Sequence, residues 1–217
     1  MRKILIVNPK GGSGKSTLAT HLASWFAWQE AKVMLGDLDK QHSSHHWLNL
    51  RSAQLPQIAR WEIGDDQIAR PPKGSQVAVL DTPACFANGK LKKVLKIVDH
   101  VIVPILPSAF DLWASADFFE ELAEMKAVRR EEVQVGAVGM RVNSRTQAAT
   151  QLPAFLQKFD IPLITCIRDT QLYNQTIQRG MTLFDLPASK IMRDQAEWQP
   201  LFDWVMRRTP QAFRAAV

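Results

Sequence analysis

A segment near the start of the chain has the composition of a phosphate-binding loop. Residues 8–17 read NPKGGSGKST and follow an apolar run, KILIV, that is typical of a strand. Gly11, Gly12 and Gly14 carry no Cβ, so successive backbone N–H groups, including that of Ser13, can turn toward one anion. A helix that begins at the end of the segment adds the positive end of its dipole. The segment therefore predicts a site for the phosphates of a nucleotide.

The side chains of this loop add groups that hold a triphosphate and its metal ion. Lys15 is placed to reach the β- and γ-phosphates, and the hydroxyl of Ser16 is placed to ligate Mg²⁺. Thr17 is expected to bond the α-phosphate, and a second lysine, Lys10, lies at the mouth of the loop. ATP and Mg²⁺ are the predicted cofactors. One position departs from the ordinary pattern, because Pro9 stands where a glycine is usual.

A carboxylate closes another apolar run, QVAVL. Asp81 ends this run and is followed by Thr82 and Pro83. An aspartate at the end of a buried strand is the Walker B arrangement, which holds Mg²⁺, often through water. Because an unpaired buried carboxylate is costly, we expect a cation next to Asp81.

Two further carboxylates, Asp37 and Asp39, stand at the end of the run KVMLGD. The carboxyl ends of parallel strands form the edge at which α/β proteins bind their ligands. This position favours a role at the nucleotide site, and the alternative is a pair of helix-capping aspartates.

The elements that must position these groups alternate between strands and helices. The strand-like runs are KILIVN (3–8), KVMLGD (32–37), QVAVLD (76–81), HVIVPIL (100–106), VQVGAVGMRV (133–142) and PLITCI (162–167). Longer segments with helical spacing lie between them, notably 16–30 and 112–130. The alternation predicts an α/β fold, with a doubly wound, mostly parallel sheet and helices on both faces.

The rest of the pattern predicts one domain, residues 1–217. The stretch 52–75 is the least regular, with one strand expected near 60–63. The last forty residues are expected to be mostly helical, with breaks at Pro200 and Pro210.

Composition narrows the class of protein. The chain has 217 residues, 46% of them apolar and 22% charged, which is typical of a soluble globular protein and excludes collagen and coiled coil. No window approaches about 20 apolar residues, so we expect no membrane span and a cytoplasmic location. Cys85 and Cys166 form no CxxC pair, which is typical of a reducing compartment. The net charge of +6 favours a polyanionic partner.

The loop sequence KGGSGKS resembles the deviant Walker A motif, K-G-G-x-G-K-[ST], of the ParA/MinD family of P-loop ATPases. Lys10 stands at the position of that family's signature lysine. The resemblance implies that Lys10 crosses to the nucleotide of a second subunit, so that two subunits enclose two ATP molecules. ATP would then be the ligand that drives dimerisation, and its hydrolysis, slow without an activator, would release the dimer.

The resemblance also implies roles for residues outside the loop. The sequence DLDKQ resembles the family's D-x-D-P-Q motif, with Lys40 in place of proline. It implies that Asp39 positions the attacking water and that Asp37 supports the metal region. Asn143 is similar to an asparagine that contacts the adenine edge, although asparagine also simply turns loops.

Three activities fit such an ATPase, and the first is a ParA-like partitioning or positioning protein. Its ATP dimer would bind non-specific DNA on the nucleoid, and a ParB-like or adaptor protein would stimulate hydrolysis. Residues 141–217 hold ten Lys and Arg against six Asp and Glu, which favours contact with phosphates. The hypothesised DNA contacts are Arg168, Lys190 and Arg193, and the alternative for each is a solvated surface side chain without a partner role. The sequence does not identify the cargo.

The other two activities need features that the chain carries only in part. A MinD-like membrane-associated positioning ATPase needs a terminal amphipathic helix, and an apolar stripe does run along 198–205. That stripe is more typical of a helix packed on the core, so a membrane partner is not expected. A metal-cluster carrier needs cysteines at a dimer axis, and only Cys85 lies near the candidate site.

Overall fold

The computed structural model describes residues 1–62 and 74–207, and seven strands in them form one sheet. The strands are β1 (Arg2–Ile6), β2 (Val33–Asp37), β3 (Ile58–Trp61), β4 (Val77–Asp81), β5 (His100–Ile105), β6 (Gln134–Gly139) and β7 (Leu163–Cys166). Their order is β3-β2-β4-β1-β5-β6-β7, and every neighbouring pair is parallel. The predicted doubly wound fold is confirmed, and the sheet is entirely parallel.

Helices cover both faces of this sheet. They are α1 (Lys15–Trp28), α2 (Ser43–Leu50), α3 (Asn88–Leu95), α4 (Ala109–Glu124), α5 (Lys126–Arg129), α6 (Gln147–Gln157), α7 (Leu172–Ile177) and α8 (Ala188–Met206). Side chains of β1 alternate between the two faces: Ile4 and Ile6 join a core with α1 and α8, whereas Leu5 joins a core with α3 and α4. From Ile4 to Ile6 the strand is therefore apolar without a break, because both faces are buried there.

The order of the strands places the candidate site. β1 lies between β4 and β5, so the chain moves to one side of β1 for β2 and β3 and to the other side for β5 to β7. In open parallel sheets, ligands bind at the carboxyl edge where the strand order reverses. The segment 8–17 follows β1 at this point, and Asp37 and Asp81 end the strands β2 and β4.

The six strand-like runs are confirmed, with shifted ends. The additional strand expected near 60–63 is β3, Ile58–Trp61, and residue 63 lies outside the described part of the chain. The helix expected over 112–130 is divided into α4 and α5, because Met125 between them adopts extended dihedrals of φ −70° and ψ 130°.

The predicted break at Pro200 is wrong, since α8 continues through it. Proline removes one helical hydrogen bond and crowds the preceding turn, which usually ends or kinks a helix. Here Pro200 is exposed, so the unpaired carbonyl can reach water, while its neighbours Trp198, Leu201 and Phe202 are fully buried and hold the helix on the core. Pro210 lies outside the described residues.

The apolar stripe of α8 belongs to the core. Trp198, Leu201, Phe202 and Val205 are all buried, and the indole N–H of Trp198 donates to the hydroxyl of Tyr173 at 2.9 Å. The membrane-associated alternative depended on this apolar stripe, and a buried stripe cannot contact a membrane. Within the described residues, no helix has both the length and the hydropathy that a membrane span requires.

Candidate nucleotide-binding site

The backbone of the loop between β1 and α1 has the shape of an anion site. Gly12 and Gly14 have positive φ angles of 74° and 96°, which residues with a Cβ rarely adopt. At Gly14 a Cβ would also lie 2.9 Å from Cε of Met140. α1 begins at the next residue, Lys15, so its free N–H groups face the loop. The concave backbone predicted from the sequence is therefore present.

Asn8 anchors this loop to the neighbouring strand. Its amide nitrogen donates to the carbonyl of Pro104 on β5 at 2.7 Å, and its amide oxygen accepts the N–H of Lys10 at 2.7 Å. The N–H of Cys85 also donates to the carbonyl of Pro9 at 2.9 Å. The sequence analysis assigned no role to Asn8. A buried asparagine at the end of a strand was the signal that could have revealed it.

Lys15 is held inside the loop. It is buried, and its Nζ donates to the carbonyl of Lys10 at 2.8 Å, to which the hydroxyl of Ser13 also donates at 3.2 Å. Burial lowers the pKa of Lys15, while the nearby carboxylates of Asp81 and Asp39 oppose that change. An ammonium group with a single carbonyl partner in a buried site can exchange that partner for a phosphate.

Asp81 meets the physical requirements of a metal ligand. The residue is 1% exposed, and its Oδ2 accepts the hydroxyl of Ser44 at 2.6 Å, whereas Oδ1 has no hydrogen-bond partner within the described chain. Burial raises the pKa of Asp81 to about 6, although the hydroxyls of Ser16 and Ser44 act in the opposite direction. A buried carboxylate with one oxygen unpartnered among the described residues, close to the Ser16 hydroxyl, fits the oxygen coordination that Mg²⁺ prefers.

Asp37 shapes the turn that carries Asp39. Its Oδ1 accepts the N–H of Asp39 at 2.9 Å, and its Oδ2 accepts the N–H groups of Ser44 at 2.9 Å and His45 at 3.2 Å. Asp37 therefore caps the first turn of α2, which was the alternative interpretation of this residue. Through Ser44, the same contacts link Asp37 to Asp81. The sequence analysis did not single out Ser44.

Asp39 lies half-buried in the turn after β2, on the loop side of the site. Its Oδ1 accepts the N–H of Gln41 at 3.0 Å, and its charge acts on Lys15. Asp39, Asp81 and Lys15 thus lie near one another at the carboxyl edge of the sheet.

Lys10 points away from its own loop. Its Nζ forms an ion pair of 2.8 Å with Oδ1 of Asp111, in the first turn of α4. The hydroxyl of Ser108 caps that helix and contacts the same carboxylate. The two lysines of this loop therefore point in different directions: Lys15 lies inside the site, and Lys10 lies at its rim.

The remaining candidates lie apart from this centre. Asn143 is exposed in the loop after β6, where its Oδ1 accepts the N–H of Arg145 at 3.1 Å, so the turn-forming alternative describes its present contacts. Arg168 pairs with both carboxylate oxygens of Asp194 at 2.9 and 3.0 Å, which raises the pKa of the guanidinium. Arg193 pairs with Glu197 at 3.3 Å, and Lys190 is exposed.

The fold and this loop define a P-loop nucleotide-binding protein. Residues 4–184 match the CobQ/CobB/MinD/ParA nucleotide binding domain family, and the chain belongs to that family of ATPases. The resemblance to ParA/MinD proteins expected from the loop is confirmed.

Relatives and solved structures place the chain among ParA/MinD-type proteins. The Maintenance of carboxysome distribution protein A of Halothiobacillus neapolitanus is 25% identical over 193 residues, which is 85% of this chain and 88% of that protein. A plasmid partition protein of Borrelia burgdorferi B31 bound to AMPPNP has a TM-score of 0.66 and 18% identity, covering 94% of this chain and 99% of that one.

A third protein carries the metal as well as the nucleotide. The septum site-determining protein MinD of Pyrococcus horikoshii OT3, complexed with Mg-ADP, has a TM-score of 0.63 and 16% identity, with 94% of both chains covered. At these identities the two solved structures establish the fold.

Proposed function

We propose that this chain is an ATP-dependent dimerisation switch that hydrolyses ATP slowly, binds non-specific DNA and positions or partitions a cargo with a partner protein. It acts as one ATPase domain, residues 1–217, in the cytoplasm and on the nucleoid. The observation that carries the proposal is that the two lysines of the loop occupy different positions. Lys15 is buried in the phosphate loop, whereas Lys10 lies at the rim, where its ammonium group pairs with the largely buried carboxylate of Asp111.

The residues around Lys10 support the proposal that its side chain contacts a second copy of the chain. Phe110 and Trp113, on either side of Asp111 in sequence, are 74% and 67% exposed and contact each other edge to face at 5.6 Å. Large exposed aromatic side chains that flank a charged group are typical of an interface. A dimer that brings Lys10 to the partner's ATP would bury this pair.

The nucleotide and metal roles follow from the site. The N–H groups of residues 11–17 would bind the phosphates, Lys15 would contact the β- and γ-phosphates, and Ser16 with Asp81 would hold Mg²⁺. The ion supplies charge neutralisation on the phosphates when it is bound. Asn143 is proposed to contact the adenine edge, and Asp37 holds the turn from which Asp39 positions water.

Replacing Asp39 with alanine is expected to preserve ATP binding and to slow hydrolysis by about 100-fold, because the water loses the group that orients it. The dimer would then persist, since the γ-phosphate that both subunits contact is retained. Phosphate release and size-exclusion chromatography with ATP measure the two effects. Asp203→Ala, which removes an exposed carboxylate of α8, is the matched control. Hydrolysis by Asp39→Ala at the wild-type rate would refute the assigned role.

The DNA contacts are assigned to the basic residues after β7. Arg168 is held by Asp194 and Arg193 by Glu197, whereas Lys190 forms no ion pair among the described residues. Paired cations contribute less net charge to a phosphate contact, so Lys190 is expected to contribute most. A two-fold dimer presents this surface twice, which strengthens binding without a new contact.

DNA binding by the ATP-bound Asp39→Ala protein is expected to weaken steeply as salt rises. Because each phosphate contact adds about 0.9 to the slope of log affinity against log salt, Lys190→Ala should reduce the slope by about 2 in the dimer. Fluorescence anisotropy with duplexes of unrelated sequence measures it, and Lys126→Ala, an exposed lysine after α4, is the control. Affinity that does not depend on salt would contradict DNA binding, and liposome binding instead would favour the membrane alternative.

A further inference from the structure

A group of histidines adjoins the carboxylates of the proposed ATPase site and has no role in the proposed function. Three of the chain's five histidines lie within five consecutive residues, at His42, His45 and His46. His42 immediately precedes α2, and His45 lies in its first turn. The rings of His42 and His45 stack with centroids 5.7 Å apart and planes 13° apart.

These two rings share a small region with Asp37. One possible ligand atom each from Asp37, His42 and His45 lies within 4.8 Å of the others. The three residues come from two elements that the chain holds rigidly, because Asp37 ends β2 and its carboxylate accepts two N–H groups of α2. The cluster is therefore formed by the packing of β2 against α2 and does not depend on a loop conformation alone.

His45 has an unmet requirement for a polar partner. It is 3% exposed, and neither of its ring nitrogens makes a hydrogen bond of ordinary geometry among the described residues, although the carbonyl of Leu35 lies near the ring. A buried polar group without a partner is costly and calls for an explanation. Asp37 can still accept a contact, since within the described chain its Oδ1 accepts one hydrogen bond, from the N–H of Asp39, and a carboxylate oxygen has two lone pairs.

We propose that Asp37, His42 and His45 bind a divalent transition metal ion of the Zn²⁺ type. Two imidazole nitrogens and one carboxylate oxygen are ligands that such ions accept, with water at a fourth position. Tetrahedral coordination at about 2.1 Å needs ligand atoms about 3.4 Å apart, so atoms that are 4.8 Å apart must approach each other by about 1.4 Å. The exposed ring of His42 can make that movement and leaves the ion a path from solvent.

This site differs in chemistry from the one proposed for Mg²⁺. Mg²⁺ prefers oxygen ligands and keeps several waters, which suits Asp81 and the hydroxyl of Ser16. Imidazole nitrogens select softer ions, so the two sites would discriminate between the two metals although Asp37 and Asp81 lie close together.

The test uses the full chain without a tag, stripped of metal and nucleotide. Co²⁺ is titrated while its visible absorption is recorded, and Zn²⁺ affinity is measured by competition with a chromophoric chelator. We expect one ion per chain, and His42→Ala should lower the affinity at least about tenfold. His46→Ala removes the neighbouring exposed histidine and should bind as the wild type does.

Two results would overturn the proposal: no stoichiometric binding by the wild type, or an equal loss in His42→Ala and His46→Ala, which would indicate adventitious surface binding. His45→Asn provides a second variant, with thermal unfolding measured beside metal affinity because the residue is buried. Nucleotide binding is not part of the assay, so its outcome is independent of the ATPase function proposed above.

Discussion

Lys10→Ala is expected to bind ATP with nearly the affinity of the wild type and to fail to dimerise. Its backbone bonds within the loop to Asn8, Ser13 and Lys15, whereas its Nζ pairs with Asp111 at the rim. In the proposed dimer each copy donates one Lys10, and a charged hydrogen bond contributes about 2 kcal/mol. Losing two would weaken the dimer by about 1,000-fold. Sedimentation with a non-hydrolysable ATP analogue measures the dimer, and titration with a fluorescent ATP analogue measures binding.

Asp111→Asn is the matched companion to this variant. It keeps Lys10 and removes the carboxylate that holds it in the free subunit. Because the Lys10 side chain is 37% exposed, this ion pair stabilises the free subunit by less than about 1 kcal/mol. Because a dimer contains two such pairs, the ATP dimer of Asp111→Asn should be as stable as the wild type or up to about 30-fold tighter. A wild-type dimer in Lys10→Ala would refute the crossing lysine, and loss of the dimer in Asp111→Asn would give Asp111 the role assigned to Lys10.

The pairing of Lys10 with Asp111 suggests how nucleotide state and assembly are coupled. A free subunit holds the lysine on α4, next to the exposed pair of Phe110 and Trp113. A partner's γ-phosphate offers the same ammonium group a more strongly charged acceptor. Transfer of Lys10 from Asp111 to the phosphate would therefore favour the dimer only when ATP is present, and hydrolysis would restore the internal pair.

Much of the fold and of the phosphate loop could be predicted because local chemistry determines both. Strands buried on both faces need continuous apolar runs, and β1, β4 and β5 show them directly. The left-handed backbone at Gly12 and Gly14 requires glycine, so the sequence itself reports the shape of the loop. The positions of Asp37 and Asp81 follow once those strands are placed side by side.

What could not be predicted depends on contacts between distant segments. Ser44 reaches Asp81 and Asp111 reaches Lys10 only after the sheet has assembled, and no spacing along the chain indicates either pair. The continuity of α8 through Pro200 was mispredicted for the same reason, because burial of Trp198 and Phe202 outweighs the local cost of the proline. Likewise, the sequence could not show whether Arg168 is free on the surface or paired, as the structure has it, with Asp194.

Lys15→Ala is expected to weaken nucleotide binding by about 30- to 1,000-fold, or about 2 to 4 kcal/mol, because it removes the buried ammonium group of the phosphate loop. Burial lowers the pKa of Lys15, so the charged ammonium form is destabilised in the free site. The negative charge of a bound triphosphate would stabilise that form. ATP should lose more affinity than AMP, since the side chain reaches the β- and γ-phosphates.

Calorimetric titration with ATP, ADP and AMP separates this effect from a general loss of the site. Lys92→Ala removes an exposed lysine of α3, outside the phosphate loop and the turn that carries Asp39, and should bind all three nucleotides as the wild type does. The Lys10 carbonyl would lose a donor in Lys15→Ala, but Ser13 still donates to it, so the loop should keep its shape. Equal losses for ATP and AMP would mean that the loop has collapsed, whereas unchanged ATP affinity would remove Lys15 from the phosphate site.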